Sequence, residues 1–213
     1  MIKCIIFDSD GTLVDSELLG HYCMELKLKE IGILENAESM KKQFRGWKLD
    51  ALLKVLQERH KFTISENFIP QYRIALAEMF EERLQATPGI INALKEITLP
   101  ICVASSGPMS KIETAMRVTG LKEFFGDRLF SAYDIGSWKP NPGLFLHAAK
   151  EMGFKAEECI VIEDSPVGVQ AAWAAKMKVI HYNPEKFNDL DKNQVIEITH
   201  MNQLLSAIQK EIY

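Results

Sequence analysis

The sequence predicts an α/β protein in which a doubly wound parallel sheet carries an inserted, all-helical segment. Three observations predict this class. Short apolar runs recur along the chain, helical patterns separate the later runs, and a long stretch directly after the first run has no convincing strand. Alternation of strands and helices is typical of a parallel sheet that is covered on both faces.

Five short apolar runs are predicted to be buried strands. Most are continuously apolar rather than alternating, which is expected when helices cover both faces of a sheet. In chain order they are Cys4–Phe7, Ile101–Ser105, Leu129–Ala132, Cys159–Glu163 and Lys178–Tyr182.

The segment 15–86 follows the first strand and reads as helical throughout. Its apolar residues recur at helical spacing in three stripes. These are Leu18, Leu19, Tyr22 and Leu26, then Leu52, Leu53 and Leu56, and then Tyr72, Leu76, Met79, Phe80 and Leu84. We therefore expect a core domain of residues 1–14 and 87–213 and a helical cap domain of residues 15–86.

Helical patterns also separate the later strands. Their starts are marked by prolines at 88, 108 and 142, which favour the first turn of a helix. The stripes are Ile90, Ile91, Leu94 and Ile97, then Ile112, Met116 and Thr119, and then Phe145, Ala148, Ala149 and Met152.

Composition excludes several classes of protein. The chain has 213 residues, 25 of them Lys or Arg and 29 Asp or Glu, so its net charge is −4. A mildly acidic chain is a poor candidate for nonspecific binding to nucleic acid or to an anionic membrane. No apolar run is long enough to span a bilayer, and the apolar N-terminal stretch is cut by Asp8, unlike a signal peptide. Four cysteines without a Cys-x-x-Cys spacing fit buried thiols. We expect a cytoplasmic protein; the sequence does not determine its oligomeric state.

A short segment that contains polar residues ends or follows each of four predicted strands. Ligands of open parallel sheets bind beyond the carboxyl ends of the strands, so these residues are expected to meet at one edge. They are Asp8 and Asp10, then Ser105, Ser106 and Gly107, then Trp138, Lys139 and Pro140, and finally Glu163, Asp164 and Ser165.

The clustered carboxylates predict a metal ion, and their neighbours predict a bound phosphate. Carboxylates at close range repel one another, and a hard divalent cation relieves the repulsion. Oxygen ligands without His or Cys indicate Mg²⁺. Lys139, the Ser105 hydroxyl, the N–H groups after it and the start of the next helix would together hold a phosphoryl group.

A carboxylate beside a bound phosphoryl group can attack it and form an aspartyl-phosphate. A second carboxylate can protonate the leaving oxygen and later activate water. Asp8 and Asp10, two positions apart across a predicted tight turn, suit that division of labour.

The motifs FDSDGTLVDSE, VASSG, WKP and VIEDS resemble, in this order, the four motifs of the haloacid dehalogenase (HAD) superfamily. The resemblance covers essentially the whole chain, including the place of the helical cap. The stretches VASSGPMSK and LFSAYDIGSWKPNPGLF are most similar to the branch that contains bacterial 6-phosphogluconate phosphatases and β-phosphoglucomutase. The mutase has an arginine in its cap loop where this chain has Leu49.

The resemblance implies a role for each matching residue. Asp8 would be the nucleophile, and Asp10 the general acid and base, binding Mg²⁺ through its backbone carbonyl. Asp164 would bind the metal directly, and Glu163 directly or through water. Ser105, Ser106 and Lys139 would hold the phosphoryl group. The implied activity is a Mg²⁺-dependent phosphatase of small phosphorylated metabolites.

Alternatives remain open from the residues alone. The Asp8–Thr12 segment also fits a simple turn, Ser165–Pro166 a helix start, Lys139 a solvated lysine and Ser105 a backbone cap. A phosphomutase or a non-enzymatic receiver domain phosphorylated on aspartate would use a similar set of residues.

A basic stretch in the cap, from Lys41 to Lys48, supplies a prediction about the substrate. Its simplest interpretation is a solvated helix face. The alternative is that Arg45 or Lys48 binds a second anionic group of the substrate, such as the carboxylate of a sugar acid.

Overall fold

The structure, a computed structural model, describes residues 1–187, 190 and 195–212. Within these residues six parallel strands form one sheet in the order β3-β2-β1-β4-β5-β6. The strands are β1 (Cys4–Phe7), β2 (Ile101–Ser105), β3 (Leu129–Ser131), β4 (Cys159–Glu163), β5 (Lys178–Tyr182) and β6 (Ile196–Ile198).

The parallel sheet predicted from the sequence is confirmed, with one difference at a strand boundary and one additional strand. Ala132 was predicted to end the third strand, but it begins a helix, because the Ser131 hydroxyl accepts the Tyr133 N–H at 3.1 Å and caps the helix start. The short edge strand β6 was not predicted. Its three residues are too few for an apolar run to stand out from the surrounding sequence.

Helices connect the strands and cover the sheet. Of the helices between β1 and β2, the first four are α1 (Glu17–Glu30), α2 (Ala37–Phe44), α3 (Leu49–His60) and α4 (Phe68–Arg83). The remaining ones are α5 (Ile90–Glu96), α6 (Met109–Val118), α7 (Lys122–Phe125), α8 (Ala132–Ile135), α9 (Gly143–Glu151), α10 (Pro166–Ala174) and α11 (Leu204–Ile212). Within the described residues, no helix has the length and apolarity needed to cross a membrane.

Alternate residues of the central strands bury two different apolar layers. Ile5 and Phe7 of β1 face a layer built by α5, α6, α7 and α11, which is continuous with the apolar interior of α1–α4. Cys4 and Ile6 face the opposite layer, where α9 and α10 pack. Successive side chains of a strand point to opposite faces of the sheet, so a continuously apolar strand packs against the helices on both faces.

Two linker segments connect the helical segment α1–α4 to the rest of the protein, and they pair with each other. Val14 forms an isolated antiparallel bridge with Ala86. Beside it the Asp15 N–H donates to the Gln85 carbonyl at 3.1 Å, and the Thr87 N–H donates to the Leu13 carbonyl at 2.9 Å. The two connections to the helical segment are thus held side by side.

One helical stripe predicted in this segment was wrong. Tyr22 and Leu26 are 37% and 39% exposed, and α1 instead buries Cys23, Met24 and Leu28. The helix packs against both α2 and α4, so its buried face is set by two neighbours rather than by its most apolar stripe.

Candidate active site

The candidate site lies where the order of strand connections reverses. Strand β1 pairs with β2 on one side and with β4 on the other, which places the switch of the doubly wound sheet between β1 and β4. Phe7 is in register with Ile162, and the Asp8 N–H donates to the Ile162 carbonyl at 2.9 Å. The carboxyl ends of these two strands therefore bring Asp8 beside Glu163, at the usual position of a ligand site in this fold.

Lys139 lies between two of these carboxylates. Its Nζ contacts Asp8 and is 2.7 Å from Oε1 of Glu163, and its side chain is 4% exposed. Burial alone would lower the pKa of Lys139, but Asp8 and Glu163 raise it above its ordinary value. Lys139 is therefore a buried permanent cation rather than a solvated lysine.

Burial and charge repulsion act together on Asp8. Burial raises its pKa to about 7; Lys139 opposes the rise, and Glu163 and Asp10 add to it. Nearby positive charge therefore favours the ionised form of Asp8, which burial and the neighbouring carboxylates disfavour.

The turn after β1 places Asp164 close to Asp8. Gly11 has φ +79°, and a side chain there would meet the Asp164 carboxylate at 2.5 Å. The next residue, Thr12, donates its hydroxyl to Oδ1 of Asp164 at 3.2 Å. Glycine is thus required both by the backbone conformation and by the close approach of Asp164.

Asp10 has different partners from Asp8. Its Oδ1 accepts hydrogen bonds from Lys111 Nζ at 2.7 Å and from the Ser16 hydroxyl at 2.5 Å. Burial would raise the pKa of Asp10, but Lys111, Ser16 and Lys139 outweigh burial and hold it below its ordinary value. The ionised form is therefore favoured at Asp10, whereas burial favours the protonated form at Asp8.

Glu163 is fixed by the start of α10. The Ser165 N–H and hydroxyl both donate to Oε2 of Glu163, at 2.5 and 2.9 Å. Ser165 also caps the helix by accepting the Gly168 N–H at 3.2 Å, and Pro166 occupies the first turn. The helix start read from the sequence is confirmed, and it also orients a carboxylate of the site.

Three buried carboxylates lie close enough together to share a divalent cation. Asp8, Glu163 and Asp164 each offer an oxygen, and these oxygens lie within 4.8 Å of one another. Burial raises the pKa of Asp164 well above its ordinary value, and Glu163, Glu17 and Asp8 raise it further. Oxygen ligands that repel one another in this way fit a hard cation. The carboxylate of Asp10 is engaged by Lys111 and Ser16 and lies outside this group.

The serines at the end of β2 face the same edge. Ser105 is buried, and its oxygen accepts the Gly107 N–H at 3.1 Å, so its hydroxyl hydrogen can still be donated to an anion. The Gly107 carbonyl accepts the Ser131 hydroxyl at 2.7 Å, which ties this loop to β3. Ser106 and Gly107 line the main cavity.

A cavity of about 270 Å³ joins these groups to the helical segment. The sheet edge contributes Asp8, Asp10, Ser106, Lys111, Lys139, Glu163 and Asp164. The helices contribute His21, Met24, Trp47, Lys48, Leu52, Tyr72, Arg73, Leu76 and Phe80, among others. The cavity thus has a charged floor and a more apolar roof that carries Lys48 and Arg73.

The two predicted cap residues face different cavities. Nζ of Lys48 lies 3.9 Å from the centre of the Trp138 ring, on the wall of the main cavity. Arg45 instead ends α2 and lines a second cavity, where its Nε is 3.4 Å from Oδ2 of Asp164. The prediction that Arg45 binds the substrate therefore finds no support in its position, because its guanidinium is turned toward Asp164.

Three residues of the site were missed by sequence reasoning. Lys111 pairs with Asp10, Thr12 supports Asp164, and Arg73 contacts the Tyr133 hydroxyl at 3.3 Å at the cavity wall. Thr12 directly follows the Asp-x-Asp-Gly turn, so its place in the motif was a usable signal. Lys111 and Arg73 sit on helices, where charge alone does not reveal which way a side chain points.

Fold and site together define an α/β enzyme with a carboxylate-lined cavity at the switch point of its sheet. A family model of haloacid dehalogenase-like hydrolases matches residues 2–176, and the chain belongs to this family.

Individual relatives agree with this assignment. The chain is 36% identical over 205 residues to a 6-phosphogluconate phosphatase of Escherichia coli (strain K12), covering 95% of this chain and 93% of the relative. It is 29% identical over 194 residues to hexitol phosphatase B of the same strain, covering 88% and 87% of the two chains. A haloacid dehalogenase-like protein of unknown function from Agrobacterium tumefaciens str. C58 superposes with a TM-score of 0.86 at 28% identity, covering both chains completely.

Proposed function

We propose that the protein is a Mg²⁺-dependent phosphatase of small phosphorylated sugars, with 6-phosphogluconate as the leading candidate substrate. The observation that carries the proposal is the buried arrangement of Asp8, Lys139 and Glu163 with Asp164 at the floor of the main cavity. The relatives named as phosphatases of 6-phosphogluconate and hexitols support the substrate class.

In the proposed first step, a carboxylate oxygen of Asp8 attacks phosphorus and the ester bond to the sugar oxygen breaks. Asp10 donates a proton to that leaving oxygen, so the sugar departs as an alcohol. Lys139, Lys111 and the donors at Ser105 and Ser106 offset the negative charge on the phosphoryl oxygens. The product on the protein is an aspartyl-phosphate on Asp8.

The second step regenerates the enzyme. Asp10, now ionised, takes a proton from a water molecule, which attacks phosphorus, and the bond between phosphorus and Asp8 breaks. Inorganic phosphate leaves and Asp8 is again a carboxylate. The contacts of Asp10 with Lys111 and Ser16 hold its carboxylate beside the reacting groups in both steps.

The metal site belongs to the proposal. Asp8, Glu163 and Asp164 would hold Mg²⁺ with their carboxylates, and Asp10 with its backbone carbonyl. When bound, the cation offsets charge on the phosphoryl group and keeps Asp8 ionised despite its burial.

The helical segment 15–86 is proposed to act as a cap over the core formed by 1–14 and 87–213. The paired linkers near Val14 and Ala86 would be its hinges. Closure would exclude bulk water and bring Lys48 and Arg73 to the distal end of the substrate. The cytoplasmic location predicted from the sequence stays a prediction.

Two other functions use the same residues. A phosphomutase would pass the phosphoryl group to a substrate hydroxyl, and Leu49 stands where such a mutase has an arginine. A receiver domain would keep its aspartyl-phosphate without turnover, and the Asp10–Lys111 pair beside Asp8 favours turnover instead. A phosphatase releases inorganic phosphate, a phosphomutase yields an isomerised product, and a receiver domain accumulates as a long-lived phosphoprotein.

The proposal is tested with a panel of phosphorylated sugars, sugar acids and nucleotides, scored by phosphate release in the presence of Mg²⁺. We expect turnover of sugar phosphates, and loss of turnover in Asp8→Asn. The matched control is Asp15→Asn, which changes an exposed aspartate close in sequence. Release that survives Asp8→Asn, or no release from any sugar phosphate, would refute the proposal.

A further inference from the structure

A cap side chain reaches across to a core carboxylate of the proposed metal site. Nε of Arg45 is 3.4 Å from Oδ2 of Asp164, and the two side chains are 11% and 8% exposed. The guanidinium carbon also lies 4.7 Å from the centre of the Phe187 ring, in a cation–π contact. Arg45 is therefore seated in the core although it belongs to the helical segment.

This contact lies in a second cavity of about 250 Å³ on the other side of Asp164. Its wall contains another ion pair between the cap and the core, formed by Lys41 and Glu185. Next to Arg45, Gly46 packs so tightly that a side chain there would meet Cβ of Ser165 at 2.8 Å. The cap segment from Lys41 to Gly46 thus rests directly on the residues that follow β4 and β5.

The two oxygens of Asp164 are held from opposite domains. Thr12, in the core, donates to Oδ1, whereas Arg45, in the cap, faces Oδ2. A divalent cation bound to Asp164 would have to share this carboxylate with the guanidinium. Two positive charges so close together repel each other, most strongly where water is excluded.

We propose that Arg45 is a positioning residue that competes with the divalent cation for Asp164 and so links cap position to metal occupancy. This inference rests on the proposed metal-dependent function. Linkage between two binding events is reciprocal. A bound cation therefore weakens the contact between Arg45 and Asp164. In return, the Arg45–Asp164 contact lowers the affinity of the site for the cation.

The test measures Mg²⁺ binding by isothermal titration calorimetry on the full chain without substrate. Arg45→Gln removes the charge, Arg45→Lys keeps it, and Lys41→Gln removes the neighbouring ion pair that does not touch Asp164. We expect the Mg²⁺ dissociation constant to fall about fivefold or more in Arg45→Gln. Lys41→Gln, which leaves the charge beside Asp164 in place, should change the constant less than Arg45→Gln does, and Arg45→Lys should lie between wild type and Arg45→Gln.

A second readout follows the cap itself, by amide hydrogen exchange of residues 40–47. Mg²⁺ should speed exchange there in the wild type and leave it unchanged in Arg45→Gln. An unchanged or weakened Mg²⁺ affinity in Arg45→Gln, or an equal response of exchange in both proteins, would overturn the inference. If the wild type binds no Mg²⁺ at all, the metal site of the proposed function fails instead.

Discussion

Nζ of Lys111 lies 2.7 Å from Oδ1 of Asp10, although the two residues are 101 positions apart in the chain. The pair gives the two aspartates of one turn opposite tendencies: the pKa of Asp10 is held below its ordinary value, and that of Asp8 is raised to about 7. Lys111 on α6 therefore favours the ionised form of Asp10, which is the form that the second proposed step requires of a base.

Removing Lys111 should change the pH dependence of the reaction. If Asp10 must be protonated to assist the leaving group, activity falls as the pH rises through the pKa of Asp10. Lys111→Met removes the main group that lowers this pKa, so the alkaline limb of kcat/KM should move to higher pH. Lys95→Met, on an exposed face of α5, is the control. If the alkaline limb of kcat/KM does not move in Lys111→Met, Lys111 does not influence Asp10 in its role as an acid.

Removal of the metal should abolish turnover. In excess chelator we expect no phosphate release, with recovery on addition of Mg²⁺, and calcium should inhibit because its looser coordination misplaces the nucleophile. Asp164→Ala should weaken Mg²⁺ binding in calorimetry, whereas Asp127→Ala, whose side chain is 99% exposed, should not. Full activity in chelator would contradict the metal-dependent mechanism.

Lys48 should determine the affinity for an anionic substrate tail. We expect Lys48→Ala to raise KM about tenfold for 6-phosphogluconate, which corresponds to about 1.4 kcal/mol. KM for glucose 6-phosphate and kcat for either substrate should change little, because this contact is made in ground and transition states alike. Lys54→Ala, on the exposed face of α3, is the matched control. An equal rise for both sugars would leave Lys48 without a role in tail recognition.

The metal-free protein should lose stability as the pH rises. Burial raises the pKa of Glu17 to about 7; Arg45 opposes the rise and Asp10 adds to it. Between its ordinary value of 4.5 and about 7 the folded state holds more protons than the unfolded state, so the free energy of unfolding falls with rising pH. In chelator, Glu17→Gln should reduce the drop in Tm between pH 5 and pH 8 by about 3–6 °C.

Glu38→Gln, at an exposed position near the start of α2, controls for the loss of a carboxylate on the cap. Thermal unfolding followed by circular dichroism gives both values. A drop in Tm for Glu17→Gln as large as that of the wild type would show that Glu17 is ionised in the folded state across this range.

Strand ends were the part of the site that the sequence could predict. Asp8, Ser105, Lys139 and Glu163 each lie at or just after an apolar strand or its connection, and parallel strands bring such positions to one edge. A pattern of short apolar runs is enough to place them near one another, whatever the exact packing of the helices.

Helix-borne residues could not be placed in the same way. Arg45 and Lys48 are three positions apart in a basic stretch, yet Arg45 points to Asp164 and Lys48 to Trp138. The cause is the break between α2 and α3, where Gly46 has φ +73° and turns the chain between them. Tyr22 and Leu26 were misassigned for a related reason, because two neighbouring helices select the buried face of α1.

The most direct test of the central claim is an acid-quenched single turnover with radiolabelled 6-phosphogluconate, followed by peptide mapping. The account predicts that the label appears transiently on the peptide containing Asp8 and is released as inorganic phosphate. In Asp8→Asn neither should form. Phosphate release from the wild type without any label on Asp8, or release by Asp8→Asn at a rate near that of the wild type, would contradict it.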